Sequence, residues 1–218
     1  MVTPRCRHAG RCGGCPWQHI AYPDQLAQKR DDVDRLLRQH LRTLPDVLPV
    51  VPMPVDDDGM PWHFRHKAAF VFGRAGRDGR GLVMGHFASG GREIVPVEEC
   101  PVHGQRANRI AFRLRDELVK ARVTAAGPDL GGVLRHVLVR TSADERDAVA
   151  MLVVTRNAGE LKKPVRALLA SDDRPDGFFL NIHEAPSPYM VGRETIRLDG
   201  HAHVREKSLG PTFLVSPT

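Results

Sequence analysis

The chain has 218 residues, 41% of them hydrophobic, enough to bury one good-sized core or a core with a small appendage. A net charge of +6 and a pI near 9.5 favour a polyanionic partner, nucleic acid before an anionic membrane surface. No run approaches the ~18 apolar residues of a membrane span, and the stretch from Met1 to Cys6 lacks a signal-peptide core, so no membrane partner and a cytoplasmic location are expected.

The first segment, 1–22, reads as a Gly- and Cys-rich loop. Cys6, Cys12 and Cys15 stand in a C-x5-C-x2-C pattern, and the remaining cysteine, Cys100, is far along the chain. A tight thiolate group with one remote partner points to a metal or iron–sulfur centre that ties the N-terminal segment to a later part of the fold. The Cys12-Gly13-Gly14-Cys15 knuckle lets the backbone wrap closely and aim amides at sulfur. Zinc is the rival occupant, although it usually pairs two knuckles or a knuckle with two histidines. Two disulfides are a third reading, disfavoured in a reducing compartment. His8 and His19 lie near the cysteines and read as surface or capping residues.

A helix is predicted over 24–41, with Leu26, Val33, Leu36, Leu37 and Leu41 approximating one apolar face. Residues 44–61 hold Pro45, Pro49, Pro52, Pro54 and Pro61 and the run Asp56-Asp57-Asp58, and read as a linker. Strands over 67–72 and 82–87 flank the Gly-rich turn 73–81 and predict a β-hairpin, followed by a short strand at 94–97. The Gly-rich turn precedes no helix, so it is read as a hairpin loop and not as a phosphate cradle. A helix over 104–122 carries Ala107, Ile110, Ala111, Leu114 and Leu118 at helical spacing. A second hairpin, 133–141 with 148–155, a short helix at 161–170, a strand at 177–182 and short tail strands complete the chain. The expected fold class is α+β: a cysteine-rich loop and helix (1–45) packed on a mostly antiparallel-sheet central domain (46–218) whose Cys100 completes the cluster site.

The residues Cys6-x5-Cys12-Gly-Gly-Cys15-x-Trp17-Gln18-His19, then Gln25 and Lys29, Phe64-Arg65-His66-Lys67 and Glu99-Cys100-Pro101, resemble the class I RNA uracil-C5 methyltransferases. The branch they look most like is the bacterial 23S ribosomal RNA 5-methyluridine enzymes with a [4Fe-4S] cluster. Leu134-Arg135-His136-Val137-Leu138-Val139-Arg140, Asn181-Ile182, Leu198-Asp199-Gly200 and Gly210-Pro211-Thr212-Phe213 continue the likeness along nearly the whole chain. The resemblance implies a [4Fe-4S] cluster held by Cys6, Cys12, Cys15 and Cys100, and 23S rRNA as partner. It also implies that the family's Rossmann-type domain, which binds S-adenosylmethionine and supplies the nucleophilic cysteine, is absent. With all four cysteines assigned to the cluster, no thiolate remains to attack carbon 6 of uracil. The chain is therefore expected to be an inactive part of an enzyme, whose methyltransferase domain is missing or separately encoded, and to have no catalytic residue of its own.

What remains is an expected RNA surface. Arg65 and Lys67 open a strand where the family places basic residues, Arg74, Arg77 and Arg80 lie on the adjacent loop, and Arg135, His136 and Arg140 form a second basic set. Phe70 and Phe72 alternate as a buried strand face should and read as core. Pairing of the second basic set with Asp144 or Glu145 is the plainer alternative. A stand-alone RNA-binding module and a zinc-stabilised protein with no RNA role are the competing functions.

Overall fold

The computed structural model describes residues 1–43, 46–76, 79, 81–127, 131–184 and 189–218. Strand β1 (Lys67–Ala75) buries Ala68, Phe70 and Phe72 on one face, as their alternation predicts. It pairs antiparallel with β2 (Gly81–Phe87), the expected hairpin, and on its other side with β4 (Leu134–Thr141). The three-residue β3 (Ile94–Pro96) lies outside β2 and forms one rim of the sheet. Strand β5 (Ala148–Val154) joins β4 as the second expected hairpin and is buried at every position, as a strand covered on both faces must be. Beyond it come β6 (Gly177–Ile182) and the exposed, charged β7 (Glu194–Gly200) at the far rim, giving the order β3-β2-β1-β4-β5-β6-β7.

Helices α2 (Gln105–Lys120) and α3 (Lys162–Leu169) cover one face of this sheet. Ala107, Ile110, Ala111, Leu114 and Leu118, the stripe picked out by spacing, are all fully buried there. The other face carries a smaller cluster of Leu138, Val149, Met151, Val153 and Phe179. The hairpin of β8 (Val204–Lys207) and β9 (Thr212–Val215) lays Val204 and Val215 over it. Asp147 anchors that hairpin by accepting from the Arg205 amide at 2.9 Å and its Nε at 3.3 Å. Arg106, at the start of α2, donates to the Glu145 and Arg146 carbonyls at 3.1 and 2.7 Å and to Asp176 at 2.9 Å, tying helix, β4–β5 turn and β6 entry together.

The expected fold class is corrected. The sheet is mixed: β5 and β6 run parallel, joined by a crossover through α3, because the chain leaves β5 into a helix instead of a turn and must return across the face. That βαβ unit is the connection from which Rossmann-type sheets are built, so the expectation that such architecture lies wholly outside the chain does not hold. A second departure concerns helix α1 (Tyr22–His40). It forms where expected, yet Val33, Leu36 and Leu41 are 48%, 57% and 50% exposed, and Tyr22 is its only buried residue. Among the described residues, no helix is long and apolar enough to cross a membrane.

Candidate functional site

The N-terminal loop is clasped to the end of β2. The Gly13 amide donates to the Phe87 carbonyl at 2.9 Å, Ser89 donates to the Arg11 carbonyl at 2.9 Å, and Cys12 bridges to Ala88. Glycine at position 13 allows this close approach, because a Cβ there would crowd the backbone, 3.1 Å from the Phe87 oxygen and 3.3 Å from that of Ala88. The segment carrying Cys100 is fixed from the opposite side. Asn108 of α2 donates to the Cys100 carbonyl at 2.9 Å, His63 and Arg65 donate backbone amides to Pro101 and Val102 at 2.8 Å each, and Gly104 donates to Arg65 at 3.0 Å.

These two attachments bring Cys6, Cys12, Cys15 and Cys100 onto the wall of one cavity of about 120 Å³. All four thiols are free. Burial pushes the Cys100 thiol up to about 11, with Cys15 and Cys6 adding to the rise against two backbone amides. Cys12 is likewise raised, by burial and then by Cys15 and Cys6, partly opposed by the Gly14 amide and by Arg65. Four thiols that repel one another as thiolates, in a half-buried pocket, suit a cation that takes sulfur ligands. The donor set therefore fits a [4Fe-4S] cluster, and zinc on chemistry alone.

Three histidines share that cavity. His8 lines it, and so do His86 of β2 and His103, which the sequence reading did not single out. Burial holds the His86 imidazole down to about 4 and that of His103 down to about 3, with Arg65 adding to both. The available signal was the spacing of Cys100 and His103, a C-x2-H knuckle; nothing in the sequence around His86 marks it.

Arg65 and Lys67 line the rim of the cavity. Lys67 of β1 stands directly across from Arg140 of β4, so the sheet register joins two residues 73 positions apart. Among the described residues neither cation has a carboxylate partner, and Nε of Arg140 is buried without any partner. Burial lowers Lys67, and Arg140 opposite lowers it further. The expected alternative, pairing with Asp144 or Glu145, is not what forms. Asp144 accepts from Ser142 at 2.6 Å, and Glu145 accepts from the Arg106 amide at 3.0 Å. Arg135 lies toward the other end of β4, where it donates to the His183 carbonyl at 2.8 Å, and does not join the group. Arg74 donates to the Ala125 carbonyl at 3.0 Å and to that of Gly131. Arg77 and Arg80 lie outside the described residues. Phe70 and Phe72 are core, as read.

Beside the cavity, and sharing Arg65 with it, lies an open groove of about 400 Å³ lined by Trp17, Tyr22, Trp62, Phe64 and Lys29. Lys29 sits 5.8 Å from the Trp17 ring and Arg5 sits 5.3 Å from the Trp62 ring, so cations frame two aromatic faces. Trp17, Lys29 and Phe64 were part of the motif already noted; Trp62 was not.

No family model matches the chain. It is 28% identical over 221 residues to an uncharacterized RNA methyltransferase of Geobacter sulfurreducens, covering 100% of this chain and 43% of that protein. It is 31% identical over 221 residues to one of Listeria monocytogenes, with 99% and 46% covered. It is 32% identical over 225 residues to one of Gloeobacter violaceus, with 100% and 47% covered. The chain thus spans about half the length of the curated relatives it matches. Among solved structures it is similar to the tRNA (uracil-54, C5)-methyltransferase of Pyrococcus abyssi in complex with S-adenosyl-L-homocysteine. The TM-score is 0.70 at 21% identity, covering 97% of this chain and 46% of that one. At that identity the likeness is one of fold. It overturns the expectation that methyltransferase architecture is absent from the chain, and the expected inactivity loses the part of its ground that rested on that absence. By sequence, the chain is a relative of RNA methyltransferases.

Proposed function

We propose that this chain acts in S-adenosylmethionine-dependent methylation of carbon 5 of uracil in RNA, with 23S ribosomal RNA as substrate, in the cytoplasm. The observation that carries the reading is the convergence of Cys6, Cys12, Cys15 and Cys100 on one cavity also lined by Arg65 and Lys67. In this reading the four cysteines hold a [4Fe-4S] cluster. The cluster supplies a covalent staple between the N-terminal part (1–45) and the sheet domain (46–218), and shapes the surface between them.

The chain's own residues then do the binding. Arg65, Lys67 and Arg140 offer charge to phosphates at one end of β1 and β4, and Arg135 does so at the other. The Trp17 and Trp62 faces beside Arg65 suit stacking of splayed bases, which favours single-stranded or looped RNA over a duplex. Transfer RNA is the second reading, favoured by the substrate of the Pyrococcus abyssi protein.

Two measurements test the proposal. Anaerobically purified protein should be brown and should carry iron and sulfide in equal amounts, and Cys12→Ser should lose both together with thermal stability. Binding to looped rRNA fragments should weaken steeply with salt. A colourless, iron-free wild type after reconstitution sinks the cluster, and salt-independent binding sinks the RNA surface.

A further inference from the structure

We propose that the acidic turn at 56–58 makes the aromatic groove charge-selective: its Trp62 end admits an uncharged base and turns the phosphate backbone away toward Trp17. This rests on the RNA reading above and adds which part of the RNA each end of the groove takes.

The run Asp56-Asp57-Asp58 lies between Pro54 and Pro61 in a chain whose net charge is +6. Its backbone closes on itself. The Asp56 amide donates to the Met60 carbonyl at 3.0 Å and the Gly59 amide donates to the Asp56 carbonyl at 2.9 Å, with Gly59 at φ +72°. Asp58 ties this turn to the groove. One of its oxygens accepts from the Met60 amide at 3.0 Å, and the other accepts from the Trp62 indole N–H at 2.8 Å. The indole has a single donor, so that donor is taken, and a phosphate approaching the same edge meets a carboxylate.

The cation over the Trp62 ring is offset as well. Arg5 sits 5.3 Å from that ring, and its guanidinium is bound to Asp56 at 3.3 Å. Arg5, Val55 and the three aspartates line an open hollow of about 540 Å³. Among the described residues Asp57 has no cationic partner. Three carboxylates against one guanidinium leave this end negative.

The Trp17 end has the opposite sign. Lys29 lies 5.8 Å from the Trp17 ring, and Arg65, which lines the same groove, donates to the Gly14 carbonyl at 3.4 Å. Among the described residues neither cation forms an ion pair with a carboxylate. Phosphates are therefore drawn to one end and repelled at the other, while both indoles keep a face on which a base can stack. A duplex carries phosphates on both strands and cannot suit both ends; a looped strand with a splayed base can.

The test neutralises the turn without removing its acceptors, through the triple variant Asp56→Asn, Asp57→Asn and Asp58→Asn. The first readout needs no RNA. Trp17→Phe leaves Trp62 as the one indole of a chain with 2 tryptophans. In that background the triple variant should raise quenching of Trp62 emission by iodide about threefold, the factor Coulomb's law gives for unit charges about 6 Å apart in water-like surroundings. Quenching by neutral acrylamide should not change. The second readout keeps both tryptophans. There the triple variant should bind a blunt RNA duplex about threefold more tightly or better and a looped RNA with a smaller gain, so the preference for the loop narrows. Unchanged iodide quenching overturns the proposal, as does equal tightening of loop and duplex, or none. Wild type that binds no RNA sinks the RNA reading and this assignment with it, whereas salt-dependent RNA binding with unchanged iodide quenching sinks this inference alone.

Discussion

Replacing Lys67 and Arg140 with glutamine should make the protein more stable and a poorer RNA binder at the same time. The two residues are Cα partners across β1 and β4, and among the described residues neither forms an ion pair with a carboxylate. Directly opposed like charges on a sheet face destabilise by about 0.2–1 kcal/mol. Coulomb's law gives a similar figure, about 0.7 kcal/mol for two unit charges about 6 Å apart in water-like surroundings. Either single substitution should therefore gain a few tenths of a kcal/mol, and the second should add little, because the repulsion is already gone. RNA binding should move the other way. Each phosphate neutralised on a single strand contributes about −0.7 to the slope of log K against log salt, so the double variant should flatten that slope by about 1.4. Urea unfolding at low salt and RNA titrations between about 50 and 200 mM salt read the two quantities. A double variant that is less stable than wild type, or one with an unchanged salt slope, refutes the claim that these charges are kept for a ligand at a cost to the fold.

Two further outcomes follow from buried groups. His136 is held down to about 4, first by burial and then by Arg135 and His183, whereas an unfolded histidine titrates near 6.5. Its contribution is intact above about pH 6.5 and is lost as pH falls toward 4, amounting to about 2 kcal/mol by pH 5. His136→Gln should remove that part of the acid sensitivity in urea unfolding, while His86 and His103 keep the remainder with the same sign; variant and wild type losing stability in parallel would falsify the assignment. Arg106→Ala strips the Glu145 and Arg146 carbonyls of this donor and leaves the Asp176 carboxylate only the Ala148 amide, which should cost about 3 kcal/mol and lower Tm by about 6–12 °C. A fall of under about 2 °C in a thermal melt would mean the Arg106 linkages are replaceable.

The local elements were legible because each depends on neighbours in the chain. The stripe from Ala107 to Leu118 and the alternation of Phe70 with Phe72 identify their own buried faces, and the two hairpins follow from short turns. The parallel β5–β6 pairing was not legible, since an all-apolar strand such as β5 fits either direction and only the crossover decides. The cysteines announced themselves by type and grouping. His86 did not, because what places it beside Cys100 is the β2–β3 register and the path into α2, both set by long-range packing. The facing of Lys67 and Arg140 is likewise a property of register, invisible until β1 and β4 are aligned. Helix α1 shows the reverse limit: its pattern predicts a helix correctly, while the burial of Val33 and Leu36 depends on a neighbour that periodicity cannot supply.

The two rims of the sheet bear on how the protein behaves when concentrated. An open ladder of backbone donors and acceptors invites another chain to extend it. At one border that invitation is cut short by a strand of only three residues whose last, Pro96, has no amide to offer. At the other, Arg197 and Asp199 place opposite charges along a solvent-washed strand, so an approaching apolar segment would have to strip water from both. Removing these safeguards, for instance by Pro96→Val with Asp199→Val, would leave the same monomer fold with two adhesive borders and a tendency to fibrillate.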